Sequence, residues 1–245
     1  FQSFSCLLAN GIVGLQTWAS LLVSYGDKTR QGSACDCITR LTLEKAQILK
    51  DSGYEIVGRY LTKVPGGVDK NLTLEELNII FNVGLKVFPI YQTSGNHAEY
   101  FNKSKGKIDA ISAITAALKL GFKENTIIYF SVDFDVLPQD ISNNIVPHFN
   151  SINEVFNSEI QNPKNYRIGV YSPRDVCTQL YNLGLSCSSF VGDMASGYNA
   201  NIGHPLPKNW AFDQISTKTI GSGLTQIEID NNICSPRGFG SRSEE

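Results

Sequence analysis

The chain is predicted to fold as an irregular, TIM-like α/β barrel of five βα units plus three further strands, with a short helical remnant at its N-terminal end. Three observations predict this. Apolar strand-like runs alternate five times with amphipathic helical patterns, the helical patterns stop after Gly184 while strand patterns continue, and the strands then total the eight that close a small barrel. With 245 residues, 42% of them hydrophobic and 18% charged, the chain can bury a large core. An open doubly wound sheet is the competing arrangement of the same units.

Taken in order, "CDCIT" reads as a short first strand, and the segment from Thr42 to Gly53 as a helix capped by the one and stopped by the other. "YEIVGRYL" is the second strand. The helix "TLEELNIIFNVG" opens on a capping-box pattern, Thr73 with Glu76 three residues on, and ends at Gly84. "LKVFPIYQ", a helix ending at Gly121, "NTIIYFSVD" and a helix from Ile141 to about Ile160 with Pro147 near its start make the next two units. "YRIGVYS" and the helix "PRDVCTQLYNLG" complete the five, and Pro173 suits a first helical turn. "SSFVGD", "WAFDQIS" and "QIEIDNNI" then follow closely, as strands without intervening helices.

Composition narrows the partners. The net charge is -2 and Lys and Arg are scattered, which argues against nucleic acid. No apolar run approaches the ~20 residues of a membrane span, so membrane insertion is not expected. The opening "FSCLLANGIVGL" lacks the basic start of a secretory signal. The three histidines and six cysteines have no ligand spacing, so no metal and no cofactor is expected. The cysteines read as free thiols, although Cys177 and Cys187 have a spacing that a disulfide in an oxidising compartment can bridge. Oligomeric state is not legible.

In a barrel of parallel strands, chemistry gathers at the C-terminal strand ends. The stretch "YFSVDFDVLP" places Asp133 and Asp135 there, two residues apart and about 6.5–7 Å by Cα if the strand continues, close enough that one carboxyl retains its proton. Asp36 in strand one and Asp230 in the last strand complete the candidate catalytic acids. Arg59, Tyr60, Tyr91, Tyr171, Asp193 and Gln214, at the ends of other strands, are candidate substrate-binding groups. Each also has a plain structural reading, as a helix cap, an ion-pair partner or rim packing. Acids beside aromatic platforms point to carbohydrate, because glycosidic bonds are cleaved by paired carboxyls and sugar faces stack on aromatic rings.

The motifs "CDC", "GYEIVGRYL", "LKVFPIYQ", "IIYFSVDFDV", "YRIGVYS", "WAFDQIS" and "IEIDNN" make residues 34–238 resemble the glycoside-hydrolase-like domain of unknown function 1906, a relative of the family 25 lysozymes. In those lysozymes the strand-four motif is D-x-E, whose Glu is the proton donor, and the closing motif resembles V-D-x-N. Here Asp135 stands at the Glu position, and Asp230 with Asn232 in the closing motif. Its side chain is one methylene shorter, a misplacement of about 1–1.5 Å that costs on the order of a hundredfold. Residues 1–27 resemble the last half of a small helical peptidoglycan-binding domain, through Thr17, Trp18 and Leu21 after a glycine turn. Trp18 stands there as a small-core residue or a ligand contact. Residues 28–33 read as a linker and 239–245 as a tail. The resemblance implies peptidoglycan or another cell-wall glycan as partner, and an extracellular or cell-wall location.

Two alternatives remain at this stage. The barrel can bind glycan without cutting it, and the run "VDFDVLP" also matches the D-x-D-x-V signature of haloacid-dehalogenase-like phosphatases.

Overall fold

Eight strands pair in chain order and close on themselves in the computed structural model, which describes residues 1–64 and 66–241. They are β1 (Ala34–Asp36), β2 (Ile56–Tyr60), β3 (Lys86–Tyr91), β4 (Ile127–Ser131), β5 (Arg167–Ser172), β6 (Ser188–Val191), β7 (Trp210–Ile220) and β8 (Ile227–Cys234). Neighbours from β1 to β7 run parallel, whereas β8 is antiparallel to both β7 and β1 and seals the ring. The closed ring excludes the open doubly wound sheet. The phosphatase alternative goes with it, since its motif belongs on the first strand of such a sheet and here follows β4.

The helices lie where the sequence places them. They are α1 (Leu15–Leu22) ahead of the barrel, then α2 (Leu43–Asp51), α3 (Leu74–Asn82), α4 (Lys103–Lys119), the single turn α5 (Pro138–Asp140), α6 (Val146–Phe156) and α7 (Arg174–Asn182). Thr42 and Thr73 cap α2 and α3 by accepting from the backbone N–H of Lys45 and Glu76. Gly53 and Gly84 end the same helices at φ of +88° and +80°, which only glycine adopts without strain. The helix expected from Ile141 to Ile160 is interrupted by a wide π-type turn at Ile141–Ile145, so its regular part starts at Val146 and ends at Phe156.

Two apolar layers result. One lies between strands and helices, and the other fills the barrel with Ile56, Phe88, Ile90, Ile127, Tyr129, Phe190 and Phe212. Phe88 stacks on Phe212 at 4.2 Å between centroids. A Cβ on Gly58 would lie 2.4 Å from the Phe88 ring and 2.8 Å from Asp36 Cβ, so this glycine is what lets the central ring seat against β2.

A break in register shapes the closing hairpin. Gln214 faces Asn232, but Ser216 faces Asn231, so Ile215 is an extra residue in β7. The shift puts Gln214 and Thr217, rather than Gln214 and Ser216, on the inner face opposite Asn232 and Asp230.

The N-terminal segment is bonded directly to the barrel. Trp210 Nε1 donates to Phe4 O at 3.1 Å, Arg174 donates to Ser24 O at 2.7 Å, and Ser24 Oγ donates to Asp193 O at 2.8 Å. The stretch read as a linker is fixed too, with Gly32 N–H donating to Asn231 Oδ1 and Asn231 Nδ2 donating to Arg30 O. Trp18 is 54% exposed and therefore fills no small core. Of the tail, Ser241 bridges to Val87 on β3, and residues 242–245 lie outside the described residues. The six cysteines are free, so Cys177 and Cys187 do not pair.

Arg59 corrects the sequence reading. It alternates out of the barrel, is fully buried, and binds both carboxylate oxygens of Glu76, through Nε at 2.7 Å and an Nη at 3.3 Å. It also donates to the carbonyls of Cys37 and Lys70. It is therefore an internal ion-pair partner, shut off from solvent. Glu76, expected to reach back and close a capping box, is drawn instead to Arg59 and to the Leu41 N–H at 2.8 Å. Breaking a buried pair from one side leaves an uncompensated charge. Glu76→Ala should therefore lower unfolding free energy by about 3–5 kcal/mol, measured by urea denaturation with the slope m unchanged.

Candidate active site

Antiparallel pairing of β1 with β8 sets Asp36 opposite Asp230, and this register builds the floor of the site. Asp36 Oδ1 accepts from Asn232 Nδ2 at 2.9 Å and from Gln214 Nε2 at 3.1 Å. The same Gln214 nitrogen lies 3.2 Å from Asp230 Oδ2, so one amide bridges two acids. Tyr171 O–H donates to Gln214 Oε1 at 3.0 Å and so fixes which end of the amide faces them. Thr217 Oγ1 donates to Asp230 Oδ1 at 2.7 Å, a contact that the extra residue in β7 makes available.

Burial raises the pKa of Asp36 to about 7, with the Asp230 charge adding to it and the Asn232 and Gln214 hydrogen bonds opposing. Burial also raises Asp230, against the Thr217 hydrogen bond. Two carboxyls this close titrate as a pair, and the pair keeps a proton near neutrality.

Asp133 stands on the opposite wall. It follows β4 rather than belonging to it, since the strand ends at Ser131, and its N–H donates to Gly95 O at 3.0 Å. Phe134 stacks on Phe101 beside it, with centroids 5.9 Å apart. Its carboxylate accepts from Gln92 Nε2 at 3.3 Å. Although open to solvent, it is crowded by the mouth, and burial pushes its pKa up while Gln92 and the Lys70 charge hold it down. Asp133, Asp230, Gln214 and Tyr171 line a cleft of about 350 Å³, with Met194 and Tyr198 from the β6–β7 loop on its far side.

The structure thus brings Asp36, Asp133, Asp230, Gln214 and Tyr171 together, with Tyr60 buried beneath the Lys70 ammonium at 3.7 Å. Three other sequence candidates lie elsewhere. Tyr91 faces the helices and donates to Asp109 Oδ1 at 2.9 Å, so it lies outside the cleft. Asp193 is fully buried in an ion pair with Arg174, at 2.8 and 2.5 Å. Asp135 turns from the cleft and accepts from Asn199 N at 2.6 Å and Nδ2 at 2.9 Å. Asp133 and Asp135 therefore do not form the same-face pair that a continuing strand would give.

Sequence reasoning passed over Lys70, Gln92 and Thr217. Gln92 directly follows β3 and carried the same strand-end signal as Tyr91, whereas Lys70 sits in an aperiodic loop.

Comparison with known proteins agrees with this architecture. Residues 47–234 match the model of the Rv2525c-like, glycoside hydrolase-like domain. Two Bacillus subtilis proteins are similar, FadG at 54% identity over 96% of this chain and YbfG at 45% over 98%. The chain spans 41% of FadG and 34% of YbfG. Among solved structures, the Tat-secreted protein Rv2525c of Mycobacterium tuberculosis, in complex with HEPES, superposes with a TM-score of 0.69 at 21% identity, over 86% of this chain and 98% of that one. A Bacillus stearothermophilus protein gives a TM-score of 0.60 at 20% identity, over 83% and 96% of the two chains. These likenesses show the barrel fold. No helix among the described residues is long and apolar enough to cross a membrane.

The Asp36 environment has a consequence for stability. Its pKa is raised in the fold from an ordinary 3.8 to about 7, so the unfolded chain ionises first and stability is lost as pH rises between those values. Asparagine keeps an oxygen for Asn232 and Gln214 without the charge. The stability gained by Asp36→Asn should therefore be small near pH 4, grow to pH 7 and level off above it, reaching at most about 4 kcal/mol. Urea denaturation at pH 4.5, 6 and 8 checks this, and a gain independent of pH would contradict it.

Proposed function

The chain belongs to the Rv2525c-like, glycoside hydrolase-like family, and from that premise we propose that its barrel hydrolyses glycosidic bonds of a bacterial cell-wall glycan, peptidoglycan or a related polymer. The observation that carries the reading is the cleft itself. An acid whose charge is supported by Gln92 and Lys70 faces a carboxyl pair that retains a proton, across a space with a tyrosine wall. Glycoside hydrolysis needs one carboxyl of each kind on the two sides of the bond.

Asp230, at the cleft surface, donates its proton to the glycosidic oxygen as the bond to the anomeric carbon breaks. Burial and the charges of Glu228 and Asp133 raise its proton affinity, and Asp36 beneath it holds Gln214 in place. Asp133 stabilises the positive charge that develops on the sugar ring and takes the proton of the water that attacks the anomeric carbon. Tyr198, half-buried at the cleft, offers the sugar an apolar face, while Tyr171, stacked on Phe190, orients Gln214. The cell wall is favoured as substrate by the likeness of residues 1–27 to a peptidoglycan-binding unit and by the export of the M. tuberculosis relative.

One observation favours a second reading, a barrel that binds glycan without cutting it. The position of the lysozyme proton donor is held by Asp135, which is shorter and clamped by Asn199 outside the cleft. Release of glycan fragments from purified cell walls, with mass analysis of the new ends, separates the two. Asp133→Asn is expected to reduce turnover at least ~10²-fold without lowering the melting temperature, while Asp135→Asn stays within about tenfold of the parent. Full turnover by Asp133→Asn sinks the hydrolase assignment. A parent protein that releases nothing, yet binds fragments in calorimetry, leaves the binding barrel.

A further inference from the structure

Lys70 reaches the site from a loop without periodic pattern in the sequence. Its backbone is held in place, the carbonyl accepting from Arg59 at 3.2 Å and the N–H donating to Val68 O at 3.0 Å. The side chain is buried, with the ammonium 3.7 Å above the Tyr60 ring and donating to Gln92 Oε1. An ammonium has three donors and no acceptor, so Gln92 must present its oxygen to Lys70. Its nitrogen then points the other way, to Ser131 Oγ at 3.2 Å and Asp133 Oδ2 at 3.3 Å. The chain of contacts from Tyr60 through Lys70 and Gln92 to Asp133 has one chemically consistent direction. At its end, the Asp133 carboxyl meets a fixed donor.

We propose that Lys70 is a positioning residue for Asp133, locking the Gln92 amide so that its N–H keeps the carboxylate ionised and directed at the cleft. The proposal rests on the reading of Asp133 as the ionised acid of the site. It adds a residue that touches no substrate and acts through another.

The charged groups that face Lys70 set the range over which the lock holds. Burial lowers its pKa to about 8, the like charge of Arg59 adds to that, and Asp133 and Asp36 oppose it, while Gln92 and Tyr60 face it as neutral groups. Below about pH 8 the ammonium is charged and the lock is closed. Above it, Gln92 loses the charged partner that orients it.

The test is a carbon NMR titration of aspartate carboxyls, with the Asp133 signal identified by its loss in Asp133→Asn. Lys70→Met is expected to raise the apparent pKa of Asp133 by about one unit, and Lys70→Arg, which keeps a cationic donor, to leave it within a few tenths. Gln92→Leu should also raise it, and adding Lys70→Met to that change should give a smaller further rise than in the parent, the part owed to the direct Lys70 charge. An unchanged Asp133 pKa in folded Lys70→Met, or an undiminished effect of that change in the Gln92→Leu background, overturns the proposal. Should Lys70→Met not fold, Gln92→Leu decides alone, and an unmoved Asp133 there is the overturning result. Turnover on cell walls is read separately, expected to fall about tenfold in Lys70→Met with KM little changed. A parent without turnover would remove the hydrolase reading and leave the titration to judge the lock.

Discussion

The mouth of this barrel depends on an ion pair that never meets solvent. Arg59, on the outer face of β2, holds Glu76 of α3 through two oxygens, and the same guanidinium collects the carbonyls of Cys37 and Lys70. Glu76 in turn secures the N–H of Leu41. One charge pair thereby sets the two loops that follow β1 and β2, segments with little regular hydrogen bonding of their own. Alone, a buried pair is a poor source of stability, since desolvation offsets most of its attraction. Its service here is geometric. It fixes where Lys70 begins, and through Lys70 and Gln92 it reaches Asp133 without entering the cleft.

The acids at the mouth show the opposite economy. Asp36 and Asp230 are forced together by strand register, and neither is given a cation. Neutral amides and a hydroxyl hold them instead, and these hydrogen bonds offset only part of the burial that keeps a proton on the pair. Elsewhere Asp193 is matched by Arg174 and Asp109 is surrounded by Tyr91, Tyr100 and Lys105. Asp213, buried beside Asp193, is the exception, and burial together with the Asp193 charge raises its pKa well above the usual carboxylate range.

Much of the fold was legible because each βα unit carries its own stop and start signals, and because the loss of helical periodicity after Gly184 is abrupt. Strand ends were legible for the same reason, which is why Asp36, Asp230, Gln214 and Tyr171 were found from sequence. Facing was not. In β2 the run "IVGRY" is buried at every position, so there is no polar contrast from which to assign inside and outside, and Arg59 and Tyr60 looked alike. Tyr91 was misplaced by the same ambiguity. The pairing of Asp135 with Asp133 failed differently, because alternation by two ends with the strand at Ser131 and loop geometry takes over. Lys70 had no periodic context at all, and only the folded chain brings it beneath Gln92.

The extra residue at Ile215 bears on how such a chain can change over generations. Point substitution near it alters one contact at a time. Loss of the Ile215 codon would restore regular pairing with β8 and leave Thr217 opposite Asp230, since Gln214, Ser216 and Thr217 already pair in step with Asn232, Asn231 and Asp230. A lineage could in this way straighten its closing hairpin and keep the hydroxyl donor of its mouth. A one-residue deletion here is therefore, by itself, no sign of altered chemistry among related chains.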